Sequence, residues 1–304
     1  MSNETPKHAY LILAHNQFTL LKMLLQTIDD PRNDIFLHID RKATFDPQDI
    51  RPAVKKSRLF FTERIPVYWG DESQIQATLQ LLKTSTETAH YVYYHLISGQ
   101  DFPLVSQDTI HAFFDAHQGQ EFISCSPVNE MDMRRIRYYY PFQRCFGRHT
   151  RLNFAANRIL IAAERVLRID RTRSGYRTYG IGANWFSITD RMARYVLTQQ
   201  ADIQKHFYCG FCADEVFLQT LWLNAPFYDE KIHYRAHINH HPNIGQIYFD
   251  VLRAIDWTRG RPYTYDARDF EMLKSSGCFF ARKLSEEKSM QLAQMLMKSI
   301  AGSP

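Results

Sequence analysis

The sequence predicts an α/β fold with a central sheet flanked by helices, and three observations carry that expectation. Short apolar runs alternate with longer stretches whose apolar residues recur at helical spacing. The first two runs bracket one such helix, so the chain opens as a β-α-β unit. The 304 residues, 45% hydrophobic and 23% charged, are enough for a full buried core and too apolar for a disordered chain.

Residues 9–14 form the first apolar run, which ends at His15 and Asn16, and residues 18–28 follow with helical spacing. Residues 34–40 read as the next buried strand, closing on His38 and Asp40 before a turn through Arg41 and Lys42. A third strand is expected at 59–61, a helix at 73–82 capped by Asp71 or Ser73, and a strongly β-prone fourth strand at 90–97. Residues 98–103 then read as a loop at the carboxyl end of that strand. Ligands gather at such ends of open α/β sheets, so polar groups at His15, Asp40 and Ser98 to Asp101 are expected to converge. Further elements are a strand at 121–124, a helix at 152–169, a glycine-containing loop into a strand at 179–188, and helices at 190–197, 214–223 and 286–300.

Net charge is +5, and twelve arginines fall between 134 and 177. Such a concentration implies an anionic partner. No helix-turn-helix, zinc-finger or RNA-binding signature accompanies it, which disfavours nucleic acid and leaves a diphosphate or an anionic membrane surface. The helix expected at 152–169 is amphipathic, with arginines along one side. It reads first as a core-packed helix with a solvated basic face, with membrane-surface contact as the alternative.

Cys125, Cys145, Cys209, Cys212 and Cys278 are an odd set in a chain large enough to need no staples, so reduced thiols are expected. Cys209 and Cys212 have CxxC spacing, but neither a thioredoxin-like context nor a second ligand pair accompanies them. His233, His237, His240 and His241 lack a carboxylate or cysteine at ligand spacing and read as exposed polar groups. Residues 1–7 are short and polar, and the run at 9–14 is too brief for a signal peptide or a membrane span, so a cytoplasmic chain is expected.

No G-x-S-x-G, P-loop or defensible Ser-His-Asp order supports a hydrolase or kinase, and Gly180-x-Gly182 lacks the third glycine of a dinucleotide fingerprint. Asp214 and Glu215 open the expected helix at 214–223. By residue type alone they read as acids favoured by the helix dipole as readily as a carboxylate pair facing a cleft.

Seven blocks in order supply further context: Tyr10-Leu-Ile-Leu-Ala-His15, Phe36-Leu-His-Ile-Asp-Arg-Lys42, Val67-Tyr-Trp-Gly70 with Ser73, and His95-Leu-Ile-Ser-Gly-Gln-Asp-Phe-Pro-Leu104, then Gly182-Ala-Asn-Trp-Phe-Ser187, Cys212-Ala-Asp-Glu215 and Phe279-Phe-Ala-Arg-Lys283. Each is weak alone. Their order resembles the core-2/I-branching β-1,6-N-acetylglucosaminyltransferase and peptide O-xylosyltransferase family, in a bacterial-type form.

The resemblance implies a Rossmann-like GT-A glycosyltransferase fold, with residues 1–304 as a single catalytic domain and an Arg-rich helical insertion around 131–177. It implies inverting transfer of N-acetylglucosamine or xylose from a UDP-sugar to a hydroxyl on a glycan or lipid-linked saccharide. Residue by residue, Glu215 matches the family's general base and Lys283 the lysine that stabilises the departing UDP. A second cation falls on Arg259 or Arg261. His15, Asp40 and Asp101 lie in blocks on the nucleotide-sugar side. Arg134 and Arg137, preceding Tyr138 to Tyr140, fall on the acceptor side with Asp214 and Trp257. The chain contains no Asp-x-Asp, so no metal and no cofactor beyond the UDP-sugar co-substrate is expected, basic side chains taking the metal's place. The expected setting is cytoplasmic, and contact of the arginine-rich helix with an anionic inner leaflet is the alternative to a solvated basic face. The rival reading is a catalytically silent carbohydrate- or membrane-binding protein on the same scaffold.

Overall fold

Strands buried on both faces of a parallel sheet must be apolar along most of their length, and the opening of the chain supplies them. In the computed structural model, which describes residues 7–146, 150–173, 175–235, 240–241, 245–246 and 249–302, strands β1 (His8–Ala14), β2 (Asn33–Ile39), β3 (Arg58–Phe61) and β4 (Tyr93–Ser98) pair in parallel. Helix α1 (Phe18–Ile28) connects β1 to β2, and α2 (Ser73–Thr88) connects β3 to β4. Next come β5 (Asp101–Pro103), α3 (Gln107–Ala116), β6 (Phe122–Ile123) and β7 (Ser126–Pro127). Helices α4 (Glu130–Arg137), α5 (Gln143–Phe146) and α6 (Arg151–Val166) lead to β8 (Gly180–Ile181), the partner of β7. They are followed by β9 (Phe186–Thr189), α7 (Asp190–Thr198), α8 (Gln200–Phe207) and α9 (Phe217–Leu223). The last part holds a hairpin of β10 (His240–His241) and β11 (Gly245–Gln246), then β12 (Arg253–Ile255), α10 (Phe270–Lys274), β13 (Phe280–Arg282) and α11 (Glu286–Ala301).

The central sheet runs β3-β2-β1-β4-β9-β6, with β9 antiparallel to both neighbours. Side chains alternate across it. Tyr10 and Ile12 point into one core with Leu24 of α1 and Leu292 of α11, while Ala9 and Leu11 join Leu81 of α2, Val196 of α7 and Leu221 of α9 in a second core. This six-stranded mixed sheet flanked by helices is the α/β architecture the sequence leads one to expect.

Three elements depart from expectation. Residues 98–103 are not only loop: β5 joins β12 and β13 in a second, three-stranded sheet, in which Asp101 pairs with Arg282 and Arg282 with Ile255. The helix expected at 214–223 is split into a 3-10 turn at Ala213–Glu215 and α9, because Cys212 turns left-handed at φ 48° and Val216 interrupts the helical backbone at φ −123°. Helix α6 is present but inverted. Its buried residues are Asn153, Asn157 and Glu164, and its apolar side chains are largely exposed, because the surface it meets is polar. Gln143 accepts from Asn153, and Glu164 accepts from the Tyr139 N–H at 3.2 Å.

Asp101 is the joint between the two sheets. It is 0% exposed, and it accepts from the Ser98 N–H at 2.7 Å, from Arg253 at 3.2 Å and from Arg282 at 3.2 Å. Burial pulls the Arg253 guanidinium down to about 10, against the attraction of Asp101. Breaking a buried pair by removing one partner leaves an uncompensated charge and costs ~3–5 kcal/mol. Asp101→Asn is therefore expected to lower unfolding free energy by that amount in urea titration. A change below about 1 kcal/mol contradicts the assignment.

Candidate active site

The carboxyl ends of β1, β2 and β4 lie side by side, with Ala14 opposite Ile39 and Leu13 opposite Ser98. They open into a cleft of about 1410 Å³ lined by His15, Asp40, Lys42 and Gln100 from these ends. Asp40 accepts from the Lys42 backbone N–H at 2.9 Å and faces the Lys42 ammonium at 3.5 Å. Partial burial holds the His15 imidazole below its ordinary value; Lys283, Arg282 and Lys42 push the same way, and Asp40 pulls against them. Three cations and one carboxylate from two segments thus act on one ring, which marks this part of the cleft as cationic.

Parallel strands β12 and β13 end at the same edge, and the chain leaving each of them enters the cleft. Trp257 and Arg261 follow β12, and Lys283 follows β13. Arg282 also lines the cleft while bonding Ser98 Oγ and Asp101, and its guanidinium lies 4.6 Å from the centre of the Trp185 ring.

A second charge group contains the acids. Glu215 Oε2 accepts from Arg135 of α4 at 2.5 Å, and Arg135 also meets Asp132 at 3.2 Å. Asp214 accepts from Asn184 at 3.2 Å, while its other oxygen is buried with no hydrogen-bond partner among the described residues. Burial, and then the charge of Glu215, push the Asp214 carboxyl up to about 7. The turn is held by Gly182, whose N–H donates to the Glu215 carbonyl at 2.9 Å. A Cβ at Gly182 would sit 1.8 Å from the Ser124 carbonyl oxygen, so only glycine allows that approach.

A family model described as Core-2/I-Branching enzyme matches residues 8–274. The chain belongs to the Core-2/I-branching enzyme family. An N-acetyllactosaminide beta-1,6-N-acetylglucosaminyl-transferase of Mus musculus is 29% identical over 119 residues, which is 37% of this chain and 29% of that relative's length. The crystal structure of S. aureus TarS is 15% identical, with a TM-score of 0.30 over 40% of this chain and 22% of that one. TarS 1-349 in complex with UDP is also 15% identical, with a TM-score of 0.28 over 41% of this chain and 37% of that one. Among the described residues no helix is long and apolar enough to cross a membrane.

In this chain Glu215, Asp214, His15, Asp40, Trp257, Arg261 and Lys283 line one cleft. Other residues expected at the site lie elsewhere. Asp101 is sealed beneath the cleft by its two arginines. Arg259 is held by Asp256 at 2.5 Å and Asp269 at 2.8 Å and stacks on Tyr263, so Arg261 is the member of the pair that lines the cleft. Arg137 pairs with Glu130 and Asp170, and Arg134 is exposed outside the cleft. Successive helical residues are rotated by about 100°, so α4 turns Arg135 inward and not its neighbour. Trp69, Asn184 and Arg282 also line the cleft without having been expected there, although they stand in three of the seven blocks.

His233 is buried, with Nε2 bonded to the Ile123 carbonyl at 2.7 Å. His237 lies outside the described residues, as do the side chains of His240 and His241. Cys209 and Cys212 sit in the loop between α8 and the Ala213–Glu215 turn, both at positive φ.

The raised Asp214 carboxyl makes stability fall as pH rises. The folded chain keeps a proton that the unfolded chain releases near its ordinary value of ~3.9. The associated stability is complete below about pH 4 and is lost by about pH 7. Buried Glu121, also pushed up to about 7, acts in the same sense. Asp214→Asn is expected to flatten the decline of the urea midpoint between these limits and leave the share due to Glu121. An unchanged slope contradicts a protonated Asp214.

Proposed function

We propose that the chain is a single catalytic unit that transfers a sugar from a UDP-sugar to an acceptor hydroxyl by one inverting displacement. The observation that supports this most is that Glu215 and Lys283 line one cleft while belonging to separate charge groups, the acids around Arg135 and the cations around His15. An inverting transfer needs that separation. A base takes the acceptor proton while negative charge grows on the departing diphosphate.

In this mechanism Arg135 fixes Glu215 through Oε2, and Oε1 takes the acceptor O–H proton. The acceptor oxygen forms its bond to the anomeric carbon as the bond from that carbon to the UDP oxygen breaks. The electron pair leaves with UDP, whose charge is met by Arg261 and Lys283. Asp214, neutral through most of the acidic range, adds no second charge beside the base. Trp257 and Trp69, both partly exposed in the cleft, offer aromatic faces to sugar rings. The donor sugar is N-acetylglucosamine or xylose, by membership of the family and similarity to its N-acetylglucosaminyl-transferase relative.

Two measurements check the proposal. Glu215→Gln is expected to lower turnover by about 10²–10⁴ while UDP affinity in calorimetry stays within about twofold, because only the proton acceptor is removed. Unchanged turnover overturns the assignment of the base. Transfer is expected to survive EDTA, since the absence of Asp-x-Asp and the presence of Arg261 and Lys283 favour side-chain cations over a metal. Activity abolished by EDTA and restored by manganese contradicts that part.

A further inference from the structure

A surface helix ordinarily turns its apolar face inward. Helix α6 does the reverse. At about 100° per residue, Leu152, Ile159 and Val166 fall on one side of the helix. That side is open, with Leu152 at 60%, Ile159 at 73% and Val166 at 82% exposure. Phe154 and Leu167 are exposed as well. The side that meets the protein carries Asn153, Asn157 and Glu164, of which Asn153 donates to Gln143 and Glu164 accepts from the Tyr139 N–H, tying the helix to the segment before it. The apolar stripe therefore contributes nothing to holding α6 on the fold, and an exposed stripe of this size marks an interaction surface.

Charge identifies what the stripe meets. Arg151, Arg158 and Arg165 run along one border of it and Arg168 lies at its end. All four are exposed, and none forms an ion pair among the described residues. Between residues 150 and 169 the chain has four arginines and one acid, Glu164, and that acid is buried on the inner side. The outward face thus combines apolar side chains with cations and offers no carboxylate. A helix of 16 residues bearing these arginines is too short and too charged to cross a bilayer, and its apolar stripe edged by cations suits the plane of an interface.

We infer that α6 is a docking surface for an anionic lipid bilayer, with Ile159 and Val166 among the acyl chains and the arginines at the headgroup phosphates. The same segment is tied to the wall of the cleft, since Glu164 holds Tyr139 just after α4, and α4 carries Arg135 against Glu215. Docking there places the carboxylate side of the cleft near the lipid. A lipid-linked acceptor follows from that, and this consequence alone rests on the transfer reaction proposed above.

The test is flotation of the full chain with vesicles of phosphatidylglycerol and phosphatidylcholine in equal parts, and of phosphatidylcholine alone, at low and high salt. Binding is expected on the anionic vesicles at low salt and at least about tenfold weaker binding on the zwitterionic ones, because each basic residue near such a surface adds about fivefold. Ile159→Asp with Val166→Asp, and separately Arg158→Gln with Arg165→Gln, are each expected to weaken binding by about tenfold or more. No flotation with anionic vesicles at low salt overturns the inference, as does binding unaffected by the Ile159 and Val166 pair. A dimer in sedimentation equilibrium that the same pair dissolves also overturns it, assigning the stripe to a second copy of the chain. UDP binding without vesicles is followed by calorimetry in parallel. A chain that floats but binds no UDP supports the docking surface and counts against the transferase.

Discussion

Asp101 occupies the place where two sheets of different direction meet, fully enclosed and answered by Arg253 and Arg282. Enclosing a carboxylate there without such partners is costly, since removing it from water costs several kcal/mol per ion. The pairing fixes what lies around it. Ser98 at the end of β4 donates to Asp101, Arg253 comes from β12 and Arg282 from β13. One buried charge therefore sets the end of the parallel sheet against the two strands whose continuations carry Trp257, Arg261 and Lys283 into the cleft. The cationic part of the site is a by-product of how the sheets are joined.

The acidic part is placed by a different constraint. Gly182 can approach the Ser124 carbonyl only because it lacks a Cβ, and its N–H then holds the carbonyl of Glu215. Arg135 reaches the same residue from α4 and fixes its side chain. Between these two anchors the chain makes a single 3-10 turn that directs Asp214 and Glu215 into the cleft. The two halves of the site thus come from separate structural devices, which is why the charges stay grouped and do not neutralise one another.

The parallel strands were legible in the sequence because burial on both faces leaves an unbroken apolar run, and polar residues such as His15 and Asp40 mark where each run stops. Strand β5 was not, because three residues show no periodicity and Asp101–Pro103 becomes a strand only by pairing with residues distant in the sequence. Glu215 was legible through its motif, but the helix drawn through it was not: left-handed Cys212 and the break at Val216 leave no local mark. On α4 the motif pointed at Arg134 and Arg137, while the phase of the helix selected Arg135. Periodicity found α6 and could not orient it. Which face turns inward depends on the surface it meets, and that surface is built by Gln143 and Tyr139.

The most direct measurement of the central claim, a cleft with cations gathered for a diphosphate and a carboxylate apart from them, is a crystal structure of the chain with UDP bound. The account predicts the diphosphate between Arg261 and Lys283, with Glu215 still on Arg135 and not touching the phosphates. A diphosphate seated against Arg135, or UDP bound outside the cleft, contradicts it.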